Sequence, residues 1–266
     1  KTTPIDHYRD GKKTLQVQEK RGKTMDTCAT IGQEYICCNV KVLKSVSNCP
    51  YECSYCFLQN YLTNGATSVV GDIESLIKEV KEKLTMQPWR FFRIGTWELG
   101  DSLALEPITG QAKLLIDAFS TLPNAVLELK TKSDAVDTLL NCNHRHKTVI
   151  SWSLSTEHII SKEEHKTARL KERIIAIQKA VNSGYLIGLH FDPMIRYESW
   201  KSDYSSLVQQ VFEVLPSSQI AWISIGSLRF NPEMKNKMEE NYPKTTLTSQ
   251  EMVLGKDGKM RYVKPH

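Results

Sequence analysis

The sequence predicts an α/β fold: a partial (β/α)6 barrel with a C-terminal β-hairpin. Three observations predict it. Six short apolar runs rich in β-branched and aromatic residues recur along the chain, amphipathic stretches separate them, and polar groups gather where the runs end. Parallel strands buried on both faces read as continuous apolar runs, and strand–helix alternation builds a parallel sheet with helical crossovers. Six units suit an open barrel better than a closed eight-stranded one, with a flavodoxin-like open sheet as the structural alternative.

The strands are expected at 35–43, 91–95, 126–130, 148–153, 186–191 and 221–225. Asp72 can cap a helix in which Ile73, Leu76, Ile77, Val80 and Leu84 form an i, i+3, i+4 stripe. Shorter helices are expected at 111–122 and 134–140. A long one is expected at 162–183, with Leu170, Ile174, Ile177 and Val181 on one side and Gly184 as its stop. Stretches 203–215 and 232–241 complete the set. Residues 1–34 are polar and read as an irregular arm, 35–230 as the barrel, and 231–266 as a helix-and-hairpin extension. In that extension Asp257-Gly258 separates two short apolar runs, a hairpin signal. Lys256, Lys259 and Arg261 make it basic, so it is either a solvated surface hairpin or a finger that touches a polyanion.

The 266 residues, 40% hydrophobic with a net charge of +5, fit one domain with a large core. The mild, dispersed charge excess permits a nucleic-acid partner without demanding one. No apolar run reaches membrane-spanning length. Seven cysteines are an odd count, whereas a disulfide scaffold is usually short and even-numbered. The thiols therefore read as metal ligands in a reducing, cytoplasmic setting. Cys28, Cys37, Cys38 and Cys142 read as small buried hydrophobes.

Three cysteines stand within eight residues: Cys49-Pro-Tyr-Glu-Cys53-Ser-Tyr-Cys56. This is one ligand short of a closed zinc or iron–sulfur site. Such a site leaves one metal position for water or a small molecule. The loop follows the first strand, on the edge where parallel α/β folds place their active sites. Other strands deliver polar groups to that edge. The second runs into Trp97, Glu98 and Asp101, and the third ends at Lys130-Thr131-Lys132-Ser133. The fourth offers Ser151, Ser153 and Ser155, the fifth His190 and Asp192 before Pro193, and the sixth Ser227 and Arg229. His190 and Asp192 share one side of their strand, either lining a substrate cavity or hydrogen bonded to each other in the core. Trp97 reads as core or rim packing or as the candidate for stacking on a base or on a cofactor. Cys142-Asn-His-Arg-His is metal-like in composition but precedes a strand, so a surface loop is expected. Glu163 and Glu164 read as helix-face charges.

The C-x3-C-x2-C spacing after a first strand resembles the radical S-adenosylmethionine enzymes. Further ordered motifs resemble the spore photoproduct lyase family: Cys53-Ser-Tyr-Cys56-Phe-Leu-Gln59, Asp101-Ser-Leu-Ala-Leu-Glu106, Lys130-Thr-Lys132, Ser151-Trp-Ser-Leu154, Gly184-Tyr185, Asp192-Pro193 and Arg229-Phe230. The resemblance implies a [4Fe–4S] cluster on Cys49, Cys53 and Cys56, with S-adenosyl-L-methionine at the fourth iron. It implies a 5′-deoxyadenosyl radical that abstracts hydrogen from a methylene-bridged thymine dimer in DNA or another nucleic-acid base. It places Tyr55 near the adenine, Lys132 and Ser153 near the cofactor's carboxylate, Glu98 near its amine, and His190, Asp192 and Arg229 toward the substrate. An external reductant of flavodoxin or ferredoxin type would supply the electron.

Two positions depart from the family pattern. Glu98 falls about where the lyase has its hydrogen-donor cysteine, and Phe57 stands where it has tyrosine. A carboxylate O–H bond is too strong to replace a thiol donor, so a lyase-like reaction of modified outcome is expected. The alternatives are a radical enzyme acting on a peptide or small metabolite, and a zinc-stabilised nucleic-acid-binding module without catalysis.

Overall fold

Strands form where the apolar runs stand. The computed structural model describes residues 10–20, 22–27, 39–62 and 64–263. Its central sheet has seven strands: β1 (Met25–Thr27), β2 (Val40–Leu43), β3 (Phe92–Gly95), β4 (Ala125–Thr131), β5 (Thr148–Ser153), β6 (Leu186–Met194) and β7 (Ile220–Ser227). They lie in the order β7-β6-β5-β4-β3-β2-β1. Strands β2 to β7 are mutually parallel and β1 is antiparallel to β2. Residues 35–38 of the first expected strand, and Cys28, Cys37 and Cys38, lie outside the described residues.

Sequential parallel strands are spatial neighbours, as short crossovers favour. Helices Ile73–Thr85, Gln111–Phe119, Leu170–Asn182 and Trp200–Val214 occupy four of the connections. Asp72 caps the first by accepting the Ser75 N–H at 2.9 Å. The apolar stripes of these helices cover one face of the sheet. Leu76, Val80, Ile116 and Ile177 are buried there with Ile94, Leu127, Leu129 and Leu189. Each such side chain contributes about 1.5–3 kcal/mol on burial. The period of two puts Arg93, Glu128, Ser151, His190 and Trp222 on the opposite face, where they touch one another.

Three expectations need correction. The stretch 162–183 is not one helix. Helix Glu157–Glu163 ends, Glu164–His165 pairs antiparallel with Glu52–Cys53, Lys166 turns at φ +66°, and a new helix spans Leu170–Asn182. The cause is burial of both acids, which are not on a solvated helix face. Glu163 accepts from Ser54 and Thr245, and Glu164 pairs with Arg173. The stretch 134–140 contracts to a 3-10 turn, Asp137–Leu139, because so short a segment cannot recover the cost of helix nucleation. Finally, the described part of the amino-terminal stretch is not all irregular. Leu15–Gln18 pairs in parallel with Thr67–Val70, and β1 joins the central sheet.

At the other end, Leu228, Phe230, Met234, Met238 and Leu247 pack against Ile159 and Ile195 in a second apolar cluster. Met252–Leu254 and Met260–Tyr262 pair antiparallel around the Asp257-Gly258 turn. The latter strand also pairs with Arg229–Phe230, setting Arg229 opposite Arg261. Strand β7 is the margin of the central sheet among the described residues. Its Trp222 turns inward, while Ile223 and Ile225 are 45% and 72% exposed.

Candidate functional site: a cysteine loop beside a buried polar face

Strand β2 delivers the chain to the cysteine loop at the carboxyl edge of the sheet. Cys49 and Cys53 are buried and Cys56 is half-buried. The loop is fastened from several directions. The Cys56 N–H donates to the Cys53 carbonyl at 3.1 Å, closing a tight turn. The Cys49 N–H donates to Asn48 Oδ1 at 2.8 Å. Lys12 Nζ donates to the carbonyls of Cys49 and Tyr51, each at 2.7 Å. Opposite, the Ser54 N–H donates to the Glu163 carbonyl at 2.9 Å. The hydroxyls of Ser54 and Tyr55 donate to Glu163 and Glu164, and the Lys166 ammonium donates to Glu52.

Burial pushes the Cys49 thiol well above its ordinary pKa and Cys53 up to about 12. A bound metal favours the thiolates that burial alone disfavours. Among the described residues no three or more His, Cys, Asp and Glu side chains are drawn together around a single ion. Three thiols spread along one loop fit a multinuclear cluster that reserves one iron for a small molecule.

Three of the residues expected at the cofactor, Tyr55, Lys132 and Ser153, lie around one buried ion pair. Arg173 Nη2 donates to Glu164 Oε2 at 2.6 Å, with side chains 0% and 2% exposed. Arg173 also donates to the carbonyls of Ser153 at 2.9 Å and Ala168 at 3.0 Å, and to Thr167 Oγ1 at 2.7 Å. Burial alone would raise the Glu164 pKa, but Arg173 and then Lys132 outweigh it and hold the carboxyl below its usual range. Lys132 Nζ lies 5.6 Å from the centre of the Tyr55 ring. Burial disfavours its ammonium, yet the charges of Glu164 and Cys53 raise its pKa overall. Tyr55, Lys132 and Ser153 thus come together beside the cysteines. Glu98 is buried in the loop after β3.

A second constellation fills the polar face. Glu128, with no exposed surface, accepts from Arg93 Nε and Nη2 at 3.1 and 2.8 Å and from Trp97 Nε1 at 3.1 Å. It also accepts from Ser151 Oγ at 2.9 Å and Trp222 Nε1 at 3.2 Å, and contacts His190 Nε2 at 3.1 Å. The desolvation that would raise its pKa is outweighed by His190 and Arg93, and its pKa falls to about 2. A Cβ at Gly188 would stand 2.6 Å from Trp222 Nε1, so only glycine leaves room for this network on β6. Burial holds the His190 pKa below its ordinary value despite Glu128, so the imidazole is neutral near pH 7.

His190 therefore pairs with Glu128 and not with Asp192, so of the two readings of this strand side the His–Asp hydrogen bond is the one that does not form. Asp192 instead holds Arg229 through two bonds of 2.8 and 3.0 Å. Burial would raise the Asp192 pKa, but the Arg229 contact prevails and lowers it. Lys130 lies between the two constellations, its Nζ 4.9 Å from the centre of the Trp97 ring. Burial, reinforced by Lys132, lowers its pKa to about 8.

Trp97 therefore has a structural partner on its indole N–H and a cation on its face. His144 stacks on Tyr185 and contacts the Ser183 carbonyl at 3.1 Å. It lies in the loop before β5, at the edge opposite the cysteines. Sequence reasoning missed Lys12, Glu128, Glu164 and Arg173. Of these only Glu128 left a signal, as a lone acid inside an apolar strand.

Comparison with known proteins gives a consistent picture. A family model described as spore photoproduct lyase matches residues 2–266. The spore photoproduct lyase of Clostridium acetobutylicum is 26% identical over 242 residues, covering 90% of this chain and 69% of that protein. That of Bacillus subtilis is 26% identical over 248 residues, covering 91% and 70%. A solved spore photoproduct lyase complexed with dinucleoside spore photoproduct superposes with a TM-score of 0.85 at 24% identity, covering 99% of this chain and 78% of that one. A mutant with bound AdoMet and dinucleoside spore photoproduct gives 0.84 at 24% identity, covering 98% and 78%. The structural likeness establishes the mixed α/β fold with its parallel sheet.

Proposed function

The chain belongs to the spore photoproduct lyase family, and on that premise we propose that it is a radical S-adenosylmethionine enzyme acting on a pyrimidine photoproduct or a related nucleic-acid base. The observation that carries this reading is the buried three-cysteine loop beside Lys132 and Ser153, at the carboxyl edge of the parallel strands. The six strands β2–β7 would form a partial (β/α)6 barrel with the polar face as its lining.

A [4Fe–4S] cluster on Cys49, Cys53 and Cys56, with S-adenosylmethionine, would supply one-electron cleavage of the sulfonium and a 5′-deoxyadenosyl radical for hydrogen abstraction. Lys132 offers its ammonium to the cofactor's carboxylate, a charge-assisted contact strengthened by burial. Ser153 supports the same end, Glu98 takes the amine, and Tyr55 flanks the adenine. The Glu164–Arg173 pair orients Tyr55 and the β5 terminus. His190 and Trp97, both fastened to Glu128, give the cavity a rigid neutral wall. Asp192 aims the Arg229 guanidinium, a planar fork suited to a base edge or phosphate. Trp97 and the surrounding side chains exclude water from the reacting carbon. The basic hairpin bearing Lys256 is continuous with the Arg229 strand, so a polyanionic backbone bound there would lead into the cavity.

Glu98 holds the place of the family's donor thiol. The last hydrogen therefore comes from another source than a cysteine at that position, and the product differs from, or is reached differently than, classical repair. A flavodoxin- or ferredoxin-type donor in the cytoplasm would provide the electron.

Anaerobic reconstitution followed by incubation with reductant, S-adenosylmethionine and photoproduct-containing DNA tests the reading. A brown protein that releases 5′-deoxyadenosine, and exchanges label between the cofactor's 5′ carbon and the base, supports it. A colourless zinc protein removes the radical chemistry. A brown protein that exchanges label with no nucleic acid removes the substrate class.

A further inference from the structure

A lysine from the amino-terminal segment is built into the cysteine loop. Lys12 is only 5% exposed. A buried ammonium is costly unless hydrogen bonded and balanced by charge. Lys12 reaches the carbonyls of Cys49 and Tyr51 at 2.7 Å each and Asn48 Oδ1 at 3.4 Å. These acceptors flank or carry the first cluster cysteine. The backbone is shaped to bring it there. A Cβ at Gly11 would stand 2.5 Å from the Gly65 carbonyl carbon, so the turn bearing Lys12 lies directly against that residue. The Gly65 oxygen accepts from Asn48 Nδ2 at 2.7 Å, and Asn48 Oδ1 accepts the Cys49 N–H. Gly11, Gly65, Asn48 and Cys49 thus form one short chain of contacts around the ammonium.

We propose that Lys12 is a positioning residue for the cluster: it fixes the Cys49–Tyr51 backbone and sets a positive charge beside the iron–sulfur group that raises its reduction potential. Reduction adds an electron, and a nearby cation stabilises the reduced form. The inference rests on the cluster reading above.

Redox titration of the reconstituted full chain, followed by electron paramagnetic resonance, tests it alongside iron content and circular dichroism. Lys12→Met should move the midpoint to a more negative value while Lys12→Arg restores it. Lys12→Gln, which keeps a donor without the charge, should shift like Lys12→Met. A folded Lys12→Met protein that assembles no cluster also supports the proposal, through the loop-fixing role. An unchanged midpoint with unchanged iron content overturns it. Loss of fold in both uncharged variants, with Lys12→Arg folded or not, assigns Lys12 to the fold and likewise overturns it. If the wild-type chain itself assembles no iron–sulfur cluster, the cluster reading fails instead, and the two failures are told apart before any variant is made.

Discussion

The two ends of the polar face are built differently. At the cysteine end, Arg173 and Glu164 are 0% and 2% exposed. The pair ties together the β5 terminus, the Glu164–His165 strand and Tyr55. At the Arg229 end, one carboxylate holds one guanidinium, with side chains 23% and 33% exposed. The first arrangement is rigid because each member leaves another buried charge stranded if it is lost. The second is a single clamp open to exchange with a ligand. A site that must hold one constant cofactor and admit a variable substrate calls for that asymmetry.

The comparison can be broken most completely at the cysteines. Cys53→Ala should abolish iron–sulfur incorporation and 5′-deoxyadenosine release, while Asp192→Asn should leave iron content unchanged; iron assay and visible absorbance read both. Next comes the ion pair. Glu164→Ala strands the Arg173 guanidinium and should cost about 3–5 kcal/mol in urea unfolding. Asp192→Asn should cost less, about 1–3 kcal/mol, because its partner can turn to water. Its pH dependence sharpens the point. The Asp192 pKa is depressed in the fold, so its contribution is present above the unfolded value of about 3.9 and is lost as pH falls through the lower folded value. The wild-type and Asp192→Asn urea midpoints should therefore differ steadily from pH 7 to pH 5 and converge below about pH 4. The smallest effect belongs to the exposed hairpin. Lys256→Ala should leave stability unchanged and lower the salt slope of nucleic-acid binding by about 1.

The same asymmetry explains what could be read from the chain. The parallel strands were legible because burial on both faces demands uninterrupted apolar runs, and Thr148–Ser153 lies where its run does. The three cysteines were legible because they stand within eight residues, the close spacing that ligands of one cluster would need. The supporting charges were not. Glu164 and Arg173 are nine positions apart, a separation matching neither helical nor strand period, so Glu164 reads as a surface acid in a continuous amphipathic pattern. Lys12 sits in Gly11-Lys12-Lys13, where nothing distinguishes the buried lysine from its exposed neighbour. His190 was legible as an inward residue but not in its partner, because Glu128 approaches from two strands away.

The margin of the sheet carries a different consequence. Strand β7 holds eight residues with no charge and no proline, and its outer face shows Ile223 and Ile225 to water. Such a rim is a template for a strand from another molecule. Concentrated samples should self-associate in light scattering, and Ile225→Lys should suppress this without disturbing the inward-facing Trp222. The handling properties of the chain would thus rest on two isoleucines that take no part in its inward-facing polar network.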